Sequence, residues 1–237
     1  MSSDSVHSFI CMGTRMSLWI EPDGQDTRRV LIDEGVELLR DFEQRFTRFD
    51  ANSELSRLNA SPISTVPVSA ACVAYLSAAL WAAEFSGGMV DPTLLQAIKA
   101  NGYEESRSSD QPIQLVAARQ ALELTKQRHA GSANPAAPWR QVQLDAAAGT
   151  VTRPAGLQFD AGGTGKGYAA DTVASLFEER LPAGTRWFVD CGGDLRLSEV
   201  PVGQQPHSVD VEHPLTGQLS HRFQVWGGAI ATSGISR

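Results

Sequence analysis

The hydrophobic period changes near Trp139, and that change restricts the fold more than any other feature. Up to about residue 128 helical spacing predominates, whereas from Trp139 onward alternating segments do. Val36, Leu39, Phe42 and Phe46 form one stripe over Asp33–Phe46. Ala70–Phe85 is an alanine-rich helix that Ser69 can cap and Gly87-Gly88 can stop. Residues 111–128 form a further amphipathic helix. Beyond Trp139, Val142 and Leu144 alternate, residues 145–149 turn, and Val151 begins a return strand. Further strands are expected at Leu157–Asp160, Arg186–Asp190, Leu195–Leu197, His207–Val211, His221–Trp226 and Ala229–Thr232, with a helix over Tyr168–Leu181. Helices come first and strands later, without repeated βαβ units. This order predicts an α+β fold, helices packed on mainly antiparallel sheets, rather than a doubly wound nucleotide fold.

Shorter signals fill the first half. Ser17–Ile20 and Arg29–Ile32 flank the polar turn Glu21-Pro-Asp-Gly24 and suggest an early hairpin. A helical turn is expected within Arg48–Asn59, with Ser53 as its cap, and a strand over Thr65–Val68. Asp91-Pro92 reads as an N-cap followed by proline at the first position of a short helix ending near Asn101-Gly102.

The formal net charge of -7 supplies no general attraction for nucleic acid or anionic lipid. No apolar run approaches the roughly 20 residues that cross a bilayer, so direct membrane insertion is not expected. The N-terminus lacks a basic start and a sustained apolar run, which makes a cytoplasmic location the expectation for the sequence as given; a removed signal peptide would make it periplasmic. Cys11, Cys72 and Cys191 contain no close pair, which argues against a disulfide framework and a structural zinc site.

Asp160-Ala-Gly-Gly-Thr-Gly-Lys-Gly167 is the most informative local segment. Its glycines allow a tight turn or close approach of a ligand. Thr164 and Lys166, placed before a helix, can bring a hydroxyl and an ammonium to a diphosphate. A solvent-facing strand-to-helix turn with an ordinary surface lysine is the competing reading. The spacing fits neither a Walker A loop nor the dinucleotide fingerprint. In Cys191-Gly-Gly-Asp194, a second glycine turn, Asp194 can accept from a ribose or satisfy nearby backbone N–H groups. Phe49, read by itself, can join Phe42 and Phe46 in the core.

Taken in order, these segments resemble the ApbE-like FAD:protein FMN transferases. The resemblance is carried by Met12-Gly-Thr14, Ser53-Glu-Leu-Ser-Arg-Leu-Asn59, Val90-Asp-Pro-Thr93, Asp160–Asp171, Cys191-Gly-Gly-Asp194 and Ala231-Thr-Ser-Gly234. It implies an ApbE-like flavin transferase fold in a single domain over residues 1–237. It also implies metal-dependent cleavage of FAD, transfer of FMN to a Ser or Thr hydroxyl of an acceptor protein, and release of AMP. Acceptors in such systems include components of membrane redox complexes. Met12 and Asp160 are implied as FAD contacts. Phe49 stands where many members have a stacking tyrosine, and Asn101-Gly-Tyr103 (Asn101, Gly102, Tyr103) stands at a further cofactor segment. Lys166 and Asp194 complete the cofactor-binding expectation. Gly163 matches a metal-contacting position, where only its carbonyl could meet Mg2+. The family's later His-containing segment and Asp-x-x-x-Thr metal ligands have no counterpart before Arg237, so the domain is expected to be C-terminally incomplete. A non-catalytic FAD-binding or regulatory protein is the alternative that this leaves open.

Overall fold

The computed structural model describes residues 6–22, 27–100, 131–213 and 216–232. They fall into two compact units, one built from residues 6–39 and 169–232 and the other from residues 40–100 and 131–168. No described helix is long and apolar enough to cross a membrane.

The first unit holds a five-stranded antiparallel sheet in the order β1-β2-β6-β7-β10, formed by β1 (His7–Cys11), β2 (Thr14–Ile20), β6 (Trp187–Cys191), β7 (Asp194–Leu197) and β10 (Gly228–Ala231). β2 buries Thr14, Met16, Leu18 and Ile20 at alternate positions, the period of a strand with one face on a core. Helix α1 (Thr27–Phe46) supplies residues 27–39 to this unit, and the helix over Gly165–Arg180 (α5) supplies residues 169–180. They meet the sheet closely at Gly35, where an added Cβ would lie 3.1 Å from both Leu18 and Val173. A separate antiparallel pair, β8 (His207–Glu212) and β9 (Leu219–Val225), completes the unit.

The early hairpin forms upstream of its expected position. Its turn is Met12-Gly13, with φ of 50° and 68°, and it joins β1 to β2 in the register Cys11↔Thr14. Two consecutive left-handed residues match the twist of a tight hairpin. Arg29–Ile32 consequently lies in α1, because Val30 to Leu39 continue the helical stripe back to Thr27.

The second unit contains α2 (Glu54–Ala60), α3 (Ala70–Phe85), α4 (Leu95–Ala100) and a small sheet ordered β3-β5-β4, from β3 (Thr65–Pro67), β4 (Gln143–Asp145) and β5 (Thr150–Thr152). A short 3-10 turn, Pro138–Gln141, precedes β4. Ser53 and Ser69 cap α2 and α3 as expected, accepting from Ser56 N and Cys72 N. Two expectations fail here. Asp91 forms a local turn by accepting from Thr93 N at 2.8 Å, so α4 starts later, at Leu95. Leu157–Asp160 is not a strand, since its polar groups find partners outside any ladder. The helix expected over residues 111–128 lies outside the described residues.

His207 gives the first unit a pH dependence. It is buried at the start of β8, with Nε2 at 3.0 Å from the Ser198 carbonyl. Burial lowers its pKa, the Ser198 carbonyl opposes that shift, Arg186 adds to it, and Glu21 raises it again. The unfolded chain therefore binds a proton near 6.5 that the folded chain resists, so stability falls as pH drops through and below that value. Urea midpoints measured at about pH 7.5 and about pH 5.5 should show this loss, with a smaller loss in His207→Gln. An unchanged pH dependence in the variant would remove His207 as its source.

Candidate functional site

The second unit assembles a site from the loop after α1, from α2, and from the glycine turn before α5. Phe42 and Phe46 end α1 in contact with Tyr75, at centroid distances of 5.3 Å and 4.8 Å. The chain then leaves the helix. The carbonyl of Thr47 accepts from Ser53 Oγ at 2.5 Å and Ser56 Oγ at 3.4 Å, while Thr47 Oγ1 accepts from Phe49 N at 3.2 Å. The serines of the Ser53–Asn59 segment thus hold the loop that carries Arg48 and Phe49. Glu54 accepts from Ser69 N and Oγ at 2.6 and 2.8 Å, fixing the same helix to the start of α3.

Phe49 does not join the Phe42–Phe46 cluster. Its side chain is 43% exposed, and the guanidinium carbon of Arg48 stands 4.4 Å over its ring centroid. Arg48 itself is buried, 6% exposed, with Nε 3.2 Å from Asp160 Oδ1. Sequence reasoning missed Arg48. It lies next to Phe49, but nothing in its spacing points to a carboxylate so far along the chain.

Asp160 is held on every side within this unit. Phe159, just before it, donates its N–H to Asn59 Oδ1 at 2.7 Å, and its carbonyl accepts from Asn59 Nδ2 at 2.8 Å. One side-chain amide therefore satisfies both backbone groups that a neighbouring strand would otherwise serve. Asp160 N donates to the Pro92 carbonyl at 2.8 Å, and Gly162 N donates to Asp160 Oδ2 at 2.8 Å. Asp91 Oδ1 braces Pro92 by accepting from Thr93 N at 2.8 Å and Thr93 Oγ1 at 2.5 Å. The Val90–Thr93 and Ser53–Asn59 segments thus meet at Asp160, which explains why both belong to one series of motifs.

The glycine turn opens beyond this carboxylate. Gly162 and Gly163 are exposed, and among the described residues, chain neighbours aside, no atom lies within 4 Å of a Cβ built at Gly163. Thr164 Oγ1 hydrogen-bonds the hydroxyl of buried Tyr75 at 3.0 Å, where burial raises the phenol's pKa. Thr164 is therefore engaged in packing the turn. α5 begins at Gly165, with half-buried Lys166 in its first turn.

The other site expectations lie in the first unit. Met12 forms the β1–β2 turn, and Thr14 follows at the start of β2. The register Met16↔Cys191 brings the Met12–Thr14 and Cys191–Asp194 segments together: a Cβ at Gly192, where φ is 71°, would lie 2.4 Å from Thr14 Cγ2. Gly193 N donates to Asp190 Oδ1 at 2.8 Å, so Asp190 closes this turn, while Asp194 starts β7 opposite Ala231. Asn101, Gly102 and Tyr103 lie outside the described residues.

Among the described residues, no three His, Cys, Asp or Glu side chains gather as metal ligands, and Gly163 can offer only its carbonyl. All three cysteines are buried, and none forms a disulfide. Burial, followed by the charge of Glu54, pushes the Cys72 thiol up to about 12, so this sulfur is not a nucleophile near neutral pH.

The ApbE family model matches residues 12–237. The chain is similar to the solved ApbE protein of Thermotoga maritima, with a TM-score of 0.73 and 22% identity over 97% of this chain and 70% of that one. It is similar to the Vibrio cholerae flavin transferase ApbE, with a TM-score of 0.70 and 21% identity over 97% and 71% of the two chains. It also resembles the Pseudomonas stutzeri flavinyl transferase ApbE in its apo form, with a TM-score of 0.68 and 20% identity over 97% and 69%. No curated protein matches the sequence. The solved structures share the α+β fold and the family match takes in every motif from Met12 to Gly234, so the chain belongs to the ApbE family.

Proposed function

We propose that this protein is a FAD:protein FMN transferase, acting as one ApbE-type domain on FAD and on a Ser or Thr hydroxyl of an acceptor protein. Membership of the ApbE family supports the reaction class. The observation that carries the proposal is the open turn after Asp160, whose carboxylate is fixed on one oxygen by Arg48 and on the other by Gly162 N. With no described side chain within 4 Å of a Cβ at Gly163, a diphosphate can approach the backbone and the N-terminal end of α5. The positive end of a helix dipole favours such an anion, and Lys166 adds positive charge. The exposed ring of Phe49 offers an apolar platform for the isoalloxazine.

In the transfer, the acceptor oxygen bonds to the FMN phosphorus and loses its proton. The bond from that phosphorus to the bridging oxygen breaks, and AMP leaves with the bridging oxygen. The described residues do not fit a magnesium shell. Their part is therefore to bind and orient FAD, so that attack occurs from one direction.

The test is incubation with FAD, magnesium and an acceptor carrying a flavinylation Ser or Thr. Covalent flavin fluorescence on the acceptor and an equivalent amount of AMP are expected. Absence of both FAD binding and flavinylated acceptor would refute the proposal. Stoichiometric FAD binding without AMP release would instead identify a flavin-binding regulatory protein.

A further inference from the structure

We infer that Arg48 is a positioning residue that couples the ring of Phe49 to the carboxylate of Asp160, so that the two act as one element in binding a flavin nucleotide. The inference rests on the flavin reading above and assigns a part to a residue that no motif marks.

Three observations converge on it. Arg48 is 6% exposed yet lies beside Phe49, which is 43% exposed. A guanidinium is taken out of water only where its charge is met, and Asp160 Oδ1 at 3.2 Å meets it here. The same planar group lies 4.4 Å over the Phe49 ring centroid. One face of the ring is thereby backed by a cation, and the residue stays 43% exposed at this place, where a planar ligand would meet it. The Thr47 carbonyl, held by Ser53 and Ser56, fixes the backbone just before Arg48. Gly162 N on Asp160 Oδ2 ties the other end to the open glycine turn. A continuous set of contacts therefore runs from the ring platform to the phosphate side of the turn.

Such an arrangement makes the two ends interdependent. Removing the Asp160 charge weakens the hold on the Arg48 guanidinium, and with it the backing of the ring. Lysine cannot replace arginine here, because its point charge lacks the plane that stacks on the ring while Nε of the same group meets the carboxylate.

The experiment is a double-mutant cycle of Phe49→Leu and Asp160→Asn, carried out with Arg48 present and in the Arg48→Met and Arg48→Lys proteins. FAD affinity is read by flavin fluorescence, and the ligand-free unfolding equilibrium by urea titration. With Arg48 present, each single change should weaken FAD binding roughly tenfold, and the double change by well under the hundredfold product. In Arg48→Met and Arg48→Lys the effects should multiply, because the link is gone. The unfolding constants should show the same loss of coupling. Coupling in unfolding but multiplicative effects on FAD would overturn the positioning role and leave a structural contact only. Multiplicative effects in both, or coupling that persists in Arg48→Met, would overturn the link itself. Failure of the unsubstituted protein to bind FAD, with coupling intact in urea, would instead reject the flavin reading and the use assigned to Arg48 with it.

Discussion

Replacing Asn59 with leucine is expected to lower the unfolding free energy by about 2–5 kcal/mol, the summed cost of two buried backbone groups left without partners. Asn59 is buried and spends its amide on Phe159, whose side chain is fully enclosed. Leucine fills a similar volume but neither accepts from Phe159 N nor donates to Phe159 O. The effect should extend to the site, because Phe159 immediately precedes Asp160. Asn59→Asp separates this account from simple packing. Its carboxylate can still accept from Phe159 N but repels Phe159 O, so the charged form is disfavoured in the folded state and the group's pKa rises there. The folded chain then holds the extra proton more tightly than the unfolded chain. Relative to the unsubstituted protein, stability should recover as pH falls and a donor hydrogen returns. Urea titrations that show no loss for leucine, or no recovery for the aspartate variant in acid, would contradict the clamp.

Gly192→Ala should cost about 2–4 kcal/mol, combining left-handed backbone strain with a steric clash. At a φ of 71° the new Cβ would meet Thr14 Cγ2 at 2.4 Å and Oγ1 at 2.6 Å. Thr14 is buried at the start of β2 and is held by the pairing of Met16 with Cys191, so it has little room to withdraw. A second substitution, Thr14→Gly, removes all the clashing atoms but not the strain. The double variant should therefore regain the steric share and remain about 1–2 kcal/mol below the Thr14→Gly protein. Thermal or urea unfolding decides the point. Strictly additive losses would mean that Thr14 and Gly192 do not meet as described.

These two positions also show where the sequence was sufficient and where it was not. The amino-acid pattern alone determined features whose causes act over a few residues. The bounds of α3 follow from the Ser69 cap, an unbroken helical run, and the Gly87-Gly88 stop. The β4–β5 turn follows from alternating residues on either side of a polar loop. The order of short motifs was enough to indicate the family and its α+β fold.

Tertiary structure decided what depends on partners far along the chain. The hairpin formed at Met12-Gly13 because β2 is committed to pairing with β6, leaving residues 29–32 to the helix. Phe49 faces outward because Arg48 turns inward to Asp160, although the aromatic spacing suited a core position equally well. Leu157–Asp160 looked like a strand because Leu157 and Phe159 alternate with polar residues, but Asn59 and Pro92 took up the backbone groups that a strand partner would have used. The physical reason is common to all three. Local propensity sets what a short segment can adopt, but a buried charge or backbone amide must find a partner wherever packing brings one, and such partners leave no periodic trace in sequence.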